Sequence, residues 1–145
     1  MIRNLKETDR QNWEKLFQGY AEFYKVPMNN DILNTVWLWL FDKKHVVNGI
    51  CYEIENKIIA IAHYRTMPRP IKGGYIGFLD DLFVDPGFRR QKIGQKLIKH
   101  LKEMTITNDW QTIRWITHSN NEIAKNLYDK IANNTEFDLY EIKRN

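Results

Sequence analysis

Residues 75–95 constrain this chain more than any other stretch. Residues 75–84 read as a strand. Asp85-Pro86-Gly87 then forces a turn, because Pro86 has no N–H for a ladder bond. Beyond Phe88 a lysine-rich helix begins. Ile93, Leu97, Ile98, Leu101 and Met104 fall on its inner face, and Lys92, Lys96, Lys99 and Lys102 on or beside the outer one. A helix start leaves backbone N–H groups without intrahelical partners, and the helix dipole is positive there. A strand that turns into a helix in this way makes a site for phosphate or pyrophosphate. Arg89 and Arg90 stand in the turn as charge-assisted donors.

The 145 residues suit one domain over residues 1–145, and 43% hydrophobic residues, with five Trp, seven Tyr and seven Phe, can fill a single core. The net charge of +4 favours an anionic ligand but is too mild to imply nucleic acid. One cysteine, Cys51, allows no internal disulfide. The apolar run at residues 35–41 is too short to span a bilayer, and no signal peptide is visible, so a cytoplasmic protein is expected. Four His and one Cys show no ligand spacing, so no metal is expected.

The remaining pattern alternates between helix and strand. Residues 2–6 read as an edge strand. Thr8 or Asp9 caps a helix with Trp13, Leu16, Phe17, Tyr20, Phe23 and Tyr24 as an aromatic stripe, which Pro27 ends. Asn30 or Asp31 caps a second helix to about Phe41, carrying Ile32, Leu33, Val36, Trp37 and Leu40. Residues 46–55 and 57–66 flank Asn56 as a hairpin. Residues 112–117 read as a strand. Asn120 or Asn121 caps a helix with Ile123, Ala124, Leu127, Tyr128 and Ile131 inward, and residues 137–142 read as a closing strand.

Several polar residues sit where chemistry could use them. In Leu79-Asp80-Asp81-Leu82 neighbouring side chains point to opposite faces, so one aspartate faces inward unless the strand bulges. A buried carboxylate needs a partner. Arg65 or Arg114 would make it structural, and a cationic substrate amine would make it functional. His63, mid-strand, is a satisfied structural histidine or a base. His118, just before Ser119-Asn120-Asn121, is a base, a substrate contact or a surface residue. Tyr128 is a core tyrosine or a proton donor. Tyr20, Tyr24 and Trp37 read first as core and could also wall an acceptor pocket.

Two motifs in this order resemble those of the GNAT family of N-acetyltransferases. Arg89, Arg90-Gln91, Lys92, Ile93, Gly94 resembles the pyrophosphate loop, with Lys92 where a first glycine is usual. Asn121, Ala124, Leu127-Tyr128 and Lys130 match all five fixed positions of the second motif, after which Ala132-Asn133 replaces the usual Gly-Phe. Asp80-Asp81 resembles the acidic pair of the branch that holds histone and polyamine-type enzymes. The resemblance implies an α/β (α+β) fold, with a mixed central sheet of about six to seven strands and about four helices. It implies acetyl-CoA held by Leu82, Phe83, Val84, Arg89, Arg90, Gln91, Lys92, Ile93, Gly94, Gln95, Asn121, Ala124 and Tyr128. The acetyl group would move in a ternary complex to a primary amine of a small molecule such as a polyamine or amino acid. Tyr128 would be the general acid and Asp80 the base, with Asp80, Asp81, His118, Tyr24 and Trp37 around the amine. A homodimer is also implied. The competing readings are a protein or histone lysine acetyltransferase, a noncatalytic acyl-CoA-binding module, and a small nucleic-acid-binding domain using Arg89, Arg90 and the lysines that follow.

Overall fold

The computed structural model describes every residue, Met1 to Asn145. The chain groups into two compact units, residues 1–115 and residues 116–145.

The first unit is built on a five-stranded sheet. Its strands are β1 (Ile2–Asn4), β2 (Val47–Ile54), β3 (Lys57–Arg69), β4 (Gly74–Val84) and β5 (Trp110–Trp115), and they lie in sequence order. The first four pair antiparallel and β4 pairs parallel with β5. A parallel neighbour demands a crossover, and α3 (Ile93–Thr107) supplies it. The sheet is mixed, as the sequence implies, but it has five strands rather than six or seven. The expected strand at residues 137–142 does not form. Phe137, Leu139, Tyr140 and Ile142 are exposed there, and none of the strands β1 to β5 offers them a ladder. Strand-prone residues cannot by themselves provide the neighbour a strand needs.

Two helices, α1 (Arg10–Phe23) and α2 (Asn30–Phe41), carry the core of the other face. Trp13, Leu16 and Phe17 of α1 and Leu33 of α2 bury against Cys51, Ile58, Ile61 and Phe83. The inward stripe of α1 is narrower than its aromatic residues suggest, since Phe23 is largely exposed. The cap of α2 is Asn29, one residue earlier than expected, and its side chain accepts from the Ile32 N–H at 2.9 Å. Gly19 brings α1 close to the sheet, because a Cβ there would lie 2.7 Å from the Phe83 ring. Successive residues of β4 face opposite ways. Phe83 therefore faces α1, while Leu82 and Val84 face Gly94 at the start of α3.

An ion-pair cluster fastens the first strand. Arg3 binds both oxygens of Asp9, at 2.7 and 3.0 Å, and Glu53 at 2.8 Å. Asp9 also accepts from the Lys6 N–H at 2.7 Å. Burial resists ionisation of Asp9, but the guanidinium and this backbone donor outweigh it and hold the carboxyl below its usual range.

In the second unit Asn121 caps α4 (Glu122–Ile131), its side chain accepting from the Ala124 N–H at 3.3 Å. Ala124, Leu127 and Tyr128 are half-buried. Ile123, expected to face inward, is 89% exposed.

Candidate active site

The sheet opens beside the two aspartates. Pairing of β4 with β5 ends at Leu79 and Trp115, whereas β4 stays paired with β3 as far as Val84. One edge of residues 80–84 is therefore without a strand partner. The Asp85 N–H donates to the Ile59 carbonyl at 2.8 Å. Antiparallel pairs alternate, so the Phe83 N–H also turns toward β3, and those of Leu82 and Val84 turn into the gap. The Val84 carbonyl points the same way and accepts from Arg89 Nε at 3.3 Å. Of the three residues expected at the cofactor, Leu82 and Val84 thus present backbone donors. Phe83 instead contributes its ring to the core.

A bulge places both carboxylates on one face. His63 pairs with Asp81 and Tyr64 with Leu79, so Asp80 is the extra residue. His63 and Arg65 are two apart on β3 and share a face. Each holds one aspartate. Arg65 Nε donates to both oxygens of Asp80, at 3.2 and 3.0 Å. His63 Nδ1 lies 2.8 Å from Asp81 Oδ2. Burial pushes the Asp80 pKa up, and Arg65 draws it only partly back. Arg65, rather than Arg114, is the partner that the structure selects, with its guanidinium over the Phe78 ring.

Two further groups complete this corner, one of them Tyr20, expected from the sequence as a candidate wall of the acceptor pocket. Trp13 Nε1–H donates to His63 Nε2 at 2.9 Å, from a residue fifty positions away. Both nitrogens of His63 are therefore engaged, and leaving either buried partner unmatched costs about 1–3 kcal/mol. Tyr20 sets its hydroxyl 3.4 Å from the Asp80 carbonyl oxygen. Burial first, and then the charge of Asp81, pushes the Tyr20 pKa up, so this phenol stays protonated. Tyr24 packs on Tyr20 with ring centroids 4.8 Å apart. The ring partners of Trp37 are Trp13 and Phe41, and Arg10 lies over it, so Trp37 backs the core under Trp13.

The turn after β4 is a backbone device. Asp85 accepts from the Gly87 N–H at 2.8 Å and closes a short 3-10 turn. Arg90 and Lys92 then take left-handed conformations, with φ of 69° and 59°. The position where the family pattern has glycine thus needs a positive φ, and a lysine meets that need at a cost of about 1–2 kcal/mol. The first N–H of α3 with a protein acceptor is that of Lys96, bonded to the Lys92 carbonyl at 3.0 Å. The N–H groups of residues 90–95 ahead of it meet no acceptor in the chain. Gly94 lets this run lie against the sheet, since a Cβ there would come within 3.3 Å of Leu82 Cδ2. Arg89 folds back over Phe23 and Phe83, leaving Arg90, Gln91, Lys92 and Gln95 around the donors. Unpaired amides at a helix start, with lysine and arginine beside them, fit an anionic diphosphate. In the second unit His118 is exposed, and its Nδ1 accepts from the Asn120 N–H at 3.3 Å.

The chain is similar to known proteins in sequence and in fold. The model of the acetyltransferase (GNAT) family matches residues 10–132. The chain is 26% identical over 147 residues to D-amino-acid N-acetyltransferase HPA3 of Saccharomyces cerevisiae, covering 100% of this chain and 90% of that one. Its fold resembles ribosomal-protein-alanine N-acetyltransferase from Brucella melitensis biovar Abortus 2308, with a TM-score of 0.83 and 19% identity over 99% of this chain and 98% of that one. It also resembles aminoglycoside N-acetyltransferase AAC(6')-Iy in complex with CoA, with a TM-score of 0.84 and 16% identity over 99% and 94% of the two chains. With residues 10–132 matched by that family model, the chain belongs to the acetyltransferase (GNAT) family and is an acetyl-CoA-dependent N-acetyltransferase.

Proposed function

We propose that residues 1–145 form one catalytic domain that acetylates the primary amine of a small molecule, a polyamine or amino acid or a close analogue. The observation that carries this reading is the bulge at Asp80, which brings two carboxylates to one face beside the gap in the sheet. Two carboxylates against one guanidinium leave a net negative corner, which suits a cationic acceptor. The relatives named D-amino-acid and aminoglycoside N-acetyltransferase lend support to a small acceptor.

The chemistry follows from what each group can do. Acetyl-CoA supplies an acyl carbon on a thioester. The amine arrives as an ammonium with a pKa of about 10.4 and must lose a proton before its nitrogen can bond to that carbon. Asp80, its affinity for protons raised by burial, takes that proton through water. The N–H groups of Leu82 and Val84 are the donors for the oxygen that gains negative charge. Tyr128 gives its proton to sulfur as the carbon–sulfur bond breaks, and the tyrosinate regains a proton from the nitrogen newly bonded to the acyl carbon, leaving a free thiol and the neutral amide. The backbone donors of residues 90–95 hold the diphosphate, with Asn121 and Ala124 along the remainder of the coenzyme. The reading places the protein in the cytoplasm, where acetyl-CoA is used, and no helix is long and apolar enough to cross a membrane. It takes a homodimer as the assembly, supported by the exposed apolar residues between 137 and 142.

The test is acetyl-CoA turnover across a panel of polyamines, amino acids, aminoglycosides and a lysine-rich peptide, read as free thiol. A small amine is expected to have the highest kcat/KM, and preference for the peptide would overturn the acceptor assignment. Tyr128→Phe is expected to lower kcat by about 10–10³-fold with acetyl-CoA affinity unchanged. An unchanged kcat removes Tyr128 from the proton transfer.

A further inference from the structure

We propose that Trp13 and His63 are positioning residues, a buried hydrogen-bonded pair that fixes the orientation of Asp81 so that this carboxylate anchors the acceptor's ammonium while Asp80 handles its proton. The inference rests on the acceptor reading above and assigns work to two core residues that touch no substrate.

The three side chains run from the interior to the surface. Trp13 is 0% exposed and His63 1%, while the Asp81 side chain is 23% exposed. The indole Nε1–H can only donate. The His63 Nε2 that it meets at 2.9 Å must therefore carry the lone pair, and the ring proton sits on Nδ1. That proton points at Asp81 Oδ2, 2.8 Å away. The histidine cannot exchange its nitrogens by a ring flip without breaking both bonds, and it is wedged by Phe17, edge-on at 4.8 Å, and by the Trp13 ring. Asp81 is thus held from behind by a donor that cannot turn.

The neighbouring carboxylate is held differently. Asp80 meets a guanidinium that is 38% exposed and lies over the Phe78 ring. A partner that solvent reaches suits a group that gains and loses a proton. A rigid one suits a group that must present a charge in one direction. Trp13 needs only the acceptor at Nε2; the donor that Nδ1 aims at Asp81 is what a histidine serving the core alone would not require. The pair converts core rigidity into the angle of one exposed carboxylate.

The experiment compares His63→Leu with His63→Asn. Asparagine keeps an N–H donor close to the position of Nδ1, and leucine keeps only bulk. His63→Leu is expected to raise KM for the preferred cationic amine about tenfold, the loss of one oriented charge-assisted contact. Its kcat should stay within about threefold and its acetyl-CoA Kd, by calorimetry, within about twofold. His63→Asn should recover most of the KM. Equal KM values for the two variants, or a loss in kcat alone, would overturn the proposal. Nitrogen-15 NMR of the unaltered protein provides a readout that does not depend on the variants folding. A protonated Nδ1 with a bare Nε2 is expected, and a proton on Nε2 would contradict it. Failure of the unaltered enzyme to acetylate any amine would instead count against the acceptor reading, so the two failures are told apart.

Discussion

Where β3 meets β4, the charged side chains are held in pairs; at the start of α3, a run of backbone N–H groups has no partner at all. The first corner spends Arg65 on Asp80 and His63 on Asp81, and backs His63 with Trp13. The second leaves residues 90–95 unmatched and accepts two left-handed non-glycine residues to do so. On the proposed reading the difference follows from what each would receive. A diphosphate carries fixed negative charge and many acceptor oxygens, so unpaired amides beside a helix dipole suffice. An amine must be oriented and then deprotonated, so its carboxylates need defined angles and tuned proton affinity. One site is made of backbone and waits for its partner. The other is made of side chains that are already arranged.

This contrast can be broken by mutations that should affect one substrate and spare the other. The largest expected effect comes from Asp80→Asn combined with Asp81→Asn, which should lower kcat/KM for a cationic amine by about 10²–10⁴-fold. Acetyl-CoA affinity by calorimetry should hold within about twofold. A parallel loss of coenzyme affinity would mean that the two corners are one site. Next is Gly94→Val, whose branched side chain pushes the donor run off Leu82 and Val84. Acetyl-CoA should bind about tenfold more weakly, a loss of about 1.4 kcal/mol, with the amine KM unchanged. Unaltered coenzyme affinity would show that the close approach is not needed.

The Arg3–Asp9–Glu53 cluster gives a control lying outside both corners. The folded pKa of Asp9 is lowered, so its stabilising contribution is present above the unfolded value of about 3.9 and is lost as pH falls through the folded one. Urea unfolding midpoints should drop on acidification below about pH 4, and Asp9→Asn should flatten that drop while costing about 1–3 kcal/mol near neutrality. An equally steep acid drop in Asp9→Asn would remove the carboxylate as its source. The smallest effect is expected from Lys92→Gly. Relief of the left-handed lysine should add about 1 kcal/mol and raise Tm by roughly 3 °C, with acetyl-CoA affinity held within about threefold. A larger loss of affinity would transfer part of the anion site from the backbone to the lysine ammonium.

Local features were legible in the sequence and long-range pairings were not. The turn at Asp85-Pro86-Gly87, the inner face of α3 and the cap at Asn121 are all set by residues within a few positions, and each is found where expected. The acidic pair was visible, but its bulge was not, because a period of two says nothing about an extra residue in one strand. The Trp13–His63 bond joins residues fifty apart, and a lone histidine in an apolar strand gives no hint of its indole partner. Residues 137–142 show the opposite failure: their aromatic and apolar residues are strand-like, yet the sheet order β1 to β5 gives them no neighbour. Lys92 lies between these cases. The sequence marked that position by a lysine where glycine is usual, and only the backbone shows the positive φ.

The central claim is that the backbone amides of residues 90–95 receive the coenzyme's diphosphate. The most direct test is a titration of nitrogen-15-labelled protein with acetyl-CoA, following the amide resonances from Arg90 to Gln95. The account predicts that these amides shift together and saturate with a single Kd that matches calorimetry. If they stay in place while the protein saturates, or if no binding is seen at millimolar coenzyme, the account is contradicted.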